Sequence, residues 1–153
     1  MLRIQTAQNK IKIRKAEKKD LKKIAEIFRI EYAKYPYNEK WGMKGALDKI
    51  KEYFKNCSFF IAEIDSKIVG FIIANTYDWY DGIRGLISEI VISKEYQRKG
   101  IGKKLMNSIE DYFKKKHVKE MLLYAHTNSK SINFYKKLNY KKEGYIPFIK
   151  KLK

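Results

Sequence analysis

The sequence predicts one mixed α/β domain, a sheet carrying helices on its faces, with element order β-α-α-β-β-β-α-β-α-β. Three observations carry that reading. The 153 residues suit a single compact unit with a real core. Apolar residues recur with period 2 in some segments and at helical spacing in others. A glycine pair, Gly100 and Gly102, stands where a strand pattern gives way to a helical one. No internal repeat, low-complexity linker or Pro/Gly-rich boundary divides the chain, so residues 1–153 form one domain behind a polar leader, residues 1–9.

The elements follow in order. Residues 10–14 (KIKIR) alternate and give the first strand. Leu21, Ile24, Ala25, Ile27, Phe28 and Tyr32 recur at helical spacing, with Asp20 in the acid-favouring first turn and Pro36 as the stop. A second helix, about residues 44–55, puts Leu47, Ile50 and Phe54 on one face. Residues 58–64 and 67–77 are β-rich runs joined at Asp65-Ser66 as a hairpin, and Gly70 marks a bulge or close backbone contact. A loop of Asp78, Trp79, Tyr80, Asp81 and Gly82 leads to a strand at about 85–93. An amphipathic helix over 100–116, a short strand at 121–125, a helix at 129–138 and a final strand at 145–152 complete the chain.

Composition narrows the function. The 44% hydrophobic content opposes disorder despite 34% charged residues. No stretch approaches the ~20 apolar residues of a membrane span, and residues 1–9 lack the apolar core of a secretory signal. The expectation is a cytoplasmic protein without a membrane partner. Cys57 is the single cysteine, and with only His117 and His126 beside it no metal is expected. The net charge of +18 would attract a polyanion. Lysine greatly outnumbers arginine, however, and basic residues are spread along the whole chain. Solvating lysines are therefore favoured over a dedicated nucleic-acid surface, and a non-catalytic module binding nucleic acid or another polyanion is the alternative reading.

The most informative segment is Gln97-Arg98-Lys99-Gly100-Ile101-Gly102, between a strand and a helix. A helix N-terminus has N–H groups without intrahelical partners and carries positive partial charge. The glycines let backbone approach a phosphate, and Lys99, Lys103 and Lys104 crowd an end where cations cost ~0.3–1 kcal/mol each unless an anion is bound. Neither a P-loop nor the third glycine of a dinucleotide fingerprint is present, since Leu105 stands in its place.

At these residues the chain resembles the GCN5-related N-acetyltransferase superfamily, whose Gln/Arg-x-x-Gly-x-Gly/Ala signature Gln97 to Gly102 matches fully. A second segment, residues 128–140, is similar to the family's Asn-x-x-Ala-x-x-x-Tyr-x-x-x-Gly-Phe run, with Ser131 for Ala and Asn139 for Gly. The resemblance implies a mostly antiparallel sheet of about six to seven strands flanked by about four helices. It implies acetyl-CoA as cofactor, and direct attack in a ternary complex by an amine-bearing acceptor: a small amine, a protein N-terminus or a lysine. Backbone groups of Ile90, Val91 and Ile92 would meet the pantetheine arm, Gln97, Arg98, Lys99, Gly100, Ile101, Gly102 and Lys103 the pyrophosphate, and Asn128 the arm again. Tyr135 would stand near the thioester sulfur as the acid.

Acyl transfer to an amine also needs a proton acceptor, because an ammonium of pKa ~10 is not a nucleophile. Glu89, inside the apolar strand Ile87-Ser88-Glu89-Ile90-Val91-Ile92, is the candidate base or else an acid paired with a lysine. Alternation puts it on the face opposite Ser88, Ile90 and Ile92. Glu31 and His126 are weaker alternatives. Tyr35, Tyr37, Asp78, Trp79 and Tyr80 combine aromatic faces with an acid and are candidates for the acceptor, or simply an aromatic cover over an ordinary hairpin tip. A homodimer is left open.

Overall fold

The structure is a computed structural model that describes residues 10–152, so the expected leader lies outside the described residues. Five strands line up in sequence order: β1 (Lys12–Lys15), β2 (Ser58–Ile64), β3 (Lys67–Trp79), β4 (Gly82–Ile92) and β5 (Glu120–Leu123). All neighbours are antiparallel except β4 and β5, which run parallel. The four helices are α1 (Leu21–Tyr32), α2 (Met43–Asn56), α3 (Ile101–Lys114) and α4 (Ser131–Lys137).

Each face of the sheet buries its own core. Ile24 and Phe28 of α1 and Ile50 of α2 meet Phe59, Phe71 and Val91 on one face. Leu105, Met106, Ile109 and Phe113 of α3 meet Val69, Ile72 and Ile87 on the other. Alternation along β3 sends Phe71 and Ile73 to the first core and Ile72 and Ala74 to the second, which is why the central strands read as unbroken apolar runs. An ion network ties β1 to α1. Arg14 donates to both carboxylate oxygens of buried Asp20, at 2.7 and 3.0 Å, and to Glu63 on β2 at 2.6 Å. The Asp20 side chain therefore does more than favour a first helical turn; it also accepts from the Glu17 amide at 2.8 Å.

The β2–β3 turn is the expected hairpin, with Asp65 and Ser66 both in the left-handed region, the geometry that matches strand twist in a two-residue turn. The bulge lies at Val69, beside Gly70, where a Cβ would stand 2.8 Å from the Val91 carbonyl oxygen. The β3–β4 loop is tighter than its sequence suggests. Asp78 and Trp79 belong to β3, and Trp79 pairs with Gly82 across Tyr80-Asp81 alone.

Among the described residues the sheet has five strands in place of the expected six to seven, and residues 145–152 form no strand. Their apolar pattern suits a strand, but a strand also needs a partner edge. Tyr140, which donates to Glu110 on α3 at 2.9 Å, is the last residue packed against the core, and every described residue after it is exposed.

Candidate functional site

A second register shift shapes the site. Ile73 and Ala74 of β3 pair with Glu89 and Ile87 of β4, leaving Ser88 as an extra residue. The shift reverses the alternation. Ile87 faces α3, while Glu89, two residues on, faces α1 and α2. As the sequence suggests, Glu89 is opposite Ile90 and Ile92, which pack on the α3 side. The parallel pairing with β5 also stops at Ile87 and Leu123. From there to Ile92, β4 has no strand on that side among the described residues, so its outward backbone groups have no ladder partner.

The strand then feeds the glycine segment. The Ser93 amide still donates to Val69, a turn follows at Lys94–Tyr96, and the Gln97 side-chain amide donates back to the Ile92 carbonyl at 2.8 Å. Gln97 thus braces the end of β4. Arg98 and Gly100 take left-handed conformations, φ 63° and 78°, and Gly100 caps α3. Among the described residues, the amides of residues 98–103 donate to no protein acceptor, and the first turn of α3 holds no acidic residue. Lys103 is exposed, and Lys99 lies 5.4 Å over the Tyr96 ring.

The two glycines serve different needs. A Cβ on Gly100 would meet nothing within 4 Å, so its requirement is conformational and the space above it is open. On Gly102 a Cβ would stand 3.0 Å from Cζ of Phe134, so this glycine admits α4 against the start of α3. Gly102 thus has a packing requirement of its own beside the backbone approach expected of both glycines.

On the α1 and α2 side of β4, Glu89 is held by two tyrosines that the sequence does not connect with it. Tyr32 of α1 donates to its Oε2, and Tyr53 of α2 donates to its Oε1 at 2.8 Å. The available signal was their position. Each sits on the apolar face of its helix, where a tyrosine hydroxyl needs a partner. Burial raises the Glu89 pKa above the ordinary carboxylate value, and the two hydroxyls pull against that rise. Tyr32 packs edge-on to Tyr37 at 4.9 Å, and Tyr37 is 6.1 Å from His126. Tyr135 of α4 shares this neighbourhood. Burial, with a smaller contribution from Tyr37, pushes its hydroxyl up to about 12. Asn128 is exposed, and its amide donates to His126 Nδ1 at 3.1 Å.

The structure therefore brings Glu89, Tyr37 and Tyr135 together, with Ile90, Val91, Ile92 and the segment from Gln97 to Lys103 continuing from the same strand. It keeps the hairpin tip apart. Gly82, opposite Trp79, lies seven residues from Glu89 along β4, about 23 Å at strand rise. The Trp79 ring is already covered by Arg84 at 5.3 Å, and Tyr80 and Tyr35 are exposed. Glu31 takes another part: it pairs with Lys34 at 2.8 Å and accepts the Lys94 amide at 3.1 Å, joining α1 to the turn before the glycine segment.

No described helix is long and apolar enough to cross a membrane, and no group of three or more potential metal ligands occurs among the described residues. Comparison with known proteins agrees with the architecture. The chain is 29% identical to an N-alpha-acetyltransferase of Sulfurisphaera tokodaii over 85% of its length and 80% of the relative. It is 31% identical to a spermidine N(1)-acetyltransferase of Thermoplasma acidophilum, covering 87% of this chain and 89% of that one. It spans 66% and 58% of the lengths of two Methanocaldococcus jannaschii relatives, both uncharacterized N-acetyltransferases. A crystal structure of a possible acetyltransferase from Clostridium difficile 630 superposes with a TM-score of 0.79 at 25% identity, covering 93% of this chain and 97% of that one. The acetyltransferase (GNAT) family model matches residues 21–140, from the first turn of α1 through the last residue of the packed core, and the chain belongs to that family.

Proposed function

We propose that this protein is an acetyl-CoA-dependent N-acetyltransferase acting on a primary amine. The observation that carries the reading is the continuity of one strand edge. The unpaired side of β4 runs from the Glu89 and Tyr135 cluster directly into the open amides capped by Gly100.

The residues fit the cofactor on three counts: unpartnered amides at 98–103, open space at Gly100, and no carboxylate in the first turn of α3. Ile90, Val91 and Ile92 would offer backbone groups to the pantetheine arm. Arg98, Lys99, Gly100, Ile101, Gly102 and Lys103 would hold the pyrophosphate, Gln97 would act by bracing Ile92, and Asn128 would reach the arm from the far side. Bound acetyl-CoA supplies the acetyl group as an activated thioester.

The chain supplies the proton chemistry. Glu89, raised by burial, takes the ammonium proton. Both of its oxygens are engaged by tyrosine hydroxyls, so the proton reaches it through Tyr32, whose ring adjoins Tyr37. Tyr135, with its pKa pushed up to about 12, stays protonated at neutral pH and holds a proton for the departing sulfur. Tyr37, 38% exposed, borders the acceptor. Tyr35, Asp78, Trp79 and Tyr80 would touch only an acceptor long enough to extend to the hairpin tip. The relatives' names, an N-alpha-acetyltransferase and a spermidine N(1)-acetyltransferase, fit a site built for the amine rather than for one carrier.

Thermal unfolding with and without acetyl-CoA tests cofactor binding, and thiol release across polyamines, aminoglycosides, amino acids and peptides tests transfer. The reading expects a rise in Tm with acetyl-CoA and thiol release with at least one class of amine. No rise in Tm at millimolar acetyl-CoA would overturn it.

A further inference from the structure

A row of hydroxyls leads from solvent to Tyr135. The hydroxyl of Tyr37, a residue 38% exposed, donates to Ser129 Oγ at 3.5 Å, although the two lie 92 residues apart in the chain. Ser129 Oγ is 2.6 Å from Ser131 Oγ. Ser131 opens α4 and stands one helical turn before Tyr135, on the same face, so its hydroxyl reaches the phenol. The polarity of the row is fixed by counting. A serine oxygen offers two lone pairs and one proton. Ser129 Oγ accepts from the Tyr37 hydroxyl and from the Ser131 amide at 3.2 Å, which uses both lone pairs. Its proton therefore goes to Ser131 Oγ, and the Ser131 proton is left to point at Tyr135. The phenol responds as it would to such a donor, since Ser131 draws the Tyr135 pKa down against the rise that burial causes. Three hydroxyls thus point inward in series. Ser131 also stands where the family segment has Ala, so α4 does not need this hydroxyl to form.

We propose, resting on the acid role given to Tyr135, that Tyr37, Ser129 and Ser131 carry a proton inward to refill Tyr135 after each transfer. Tyr135 gives its proton to the departing sulfur and is left a phenolate. The burial that raises its pKa also keeps water from its oxygen, so refilling needs a path. Ser131 gives its proton to that oxygen and takes the Ser129 proton, and Ser129 takes the Tyr37 proton. Tyr37, which borders the acceptor, takes in turn the proton that the new amide nitrogen sheds. The count closes. A primary ammonium brings three protons on nitrogen: the amide keeps one, Glu89 passes one to solvent, and the third replaces the proton that Tyr135 gave up. One proton is released per cycle, and every hydroxyl in the row ends as it began. Ser129 and Ser131 are positioning residues in this scheme, because they act only through Tyr135.

Rapid mixing of the whole chain separates the first turnover from later ones. The substrates are acetyl-CoA and whichever polyamine, aminoglycoside, amino acid or peptide releases most thiol. Ser131→Ala removes the path and keeps the helix. Tyr135 starts protonated, so the first thiol per enzyme is expected at the wild-type rate. Later ones are expected about 10²-fold more slowly, at the low end of what a positioned proton donor contributes. Ser131→Thr keeps a hydroxyl and is expected to restore the later turnovers, with the KM for acetyl-CoA unchanged in both variants. A first turnover slowed as much as the later ones would make Ser131 a structural prop and overturn the path. Later turnovers at the wild-type rate overturn it equally. Tyr135→Phe tells this failure from that of the acid role. Its first turnover is itself slow if Tyr135 is the acid, whatever Ser131→Ala does. A wild-type first turnover in Tyr135→Phe overturns acid and path together.

Discussion

The Tyr53 hydroxyl on α2 donates to Oε1 of Glu89 on β4 at 2.8 Å, linking the helical layer to the carboxylate nearest the open strand edge. That bond stabilises the charged form and so holds the Glu89 pKa lower than burial alone would set it. Tyr53→Phe removes it, and the acid limb of the kcat/KM profile is expected to move to higher pH. An unmoved limb would detach Glu89 from that limb.

Glu89→Gln tests the same carboxylate through rate and stability. Loss of a general base is expected to lower kcat by about 10²–10⁴-fold with little change in acetyl-CoA affinity. Because the folded pKa of Glu89 is raised, the native state holds its proton more tightly than the unfolded chain does. Stability therefore falls as pH rises from the ordinary carboxylate value through the raised one. Urea unfolding over that window should show this slope in the wild type and a weaker one in Glu89→Gln.

Tyr135→Phe leaves the ring in place and removes the proton. Turnover is expected to fall about 10²-fold, while acetyl-CoA still raises Tm as it does in the wild type. Unchanged turnover would remove Tyr135 from proton transfer.

The glycine pair should separate binding from turnover. Gly100→Ala forces a Cβ into the left-handed region, at a cost of about 1–2 kcal/mol, and narrows the open amide cradle, so weaker acetyl-CoA binding by calorimetry is expected. Gly102→Ala instead pushes on Phe134, next to Tyr135, and is expected to reduce kcat more than affinity. The opposite ranking would reverse these assignments.

Arg14→Met would leave Asp20, 5% exposed, without its cation. Breaking such a pair costs about 3 kcal/mol, read as a lower urea midpoint at neutral pH. The pairing depresses the Asp20 pKa, so its stabilisation is present above the ordinary aspartate value and lost as pH falls through the depressed one. The deficit of Arg14→Met should therefore shrink in acid.

The sequence by itself determined what depends on neighbours along the chain. Helical spacing in α1 to α3, the Asp65-Ser66 hairpin, and the glycine-bearing turn that starts α3 were all legible, because each is set by local backbone preference and side-chain period. The two motifs that carry the family resemblance are equally local. Tertiary structure alone decided the rest. The extra residue at Ser88 reverses the faces of β4, and only pairing with β3 reveals it. Tyr32 and Tyr53 reach Glu89 from 57 and 36 residues away, distances that no periodicity spans. Gly102 answers to Phe134 on another helix. Residues 145–152 show the limit most plainly: their pattern suits a strand, but a strand exists only against an edge, and the edge belongs to the fold.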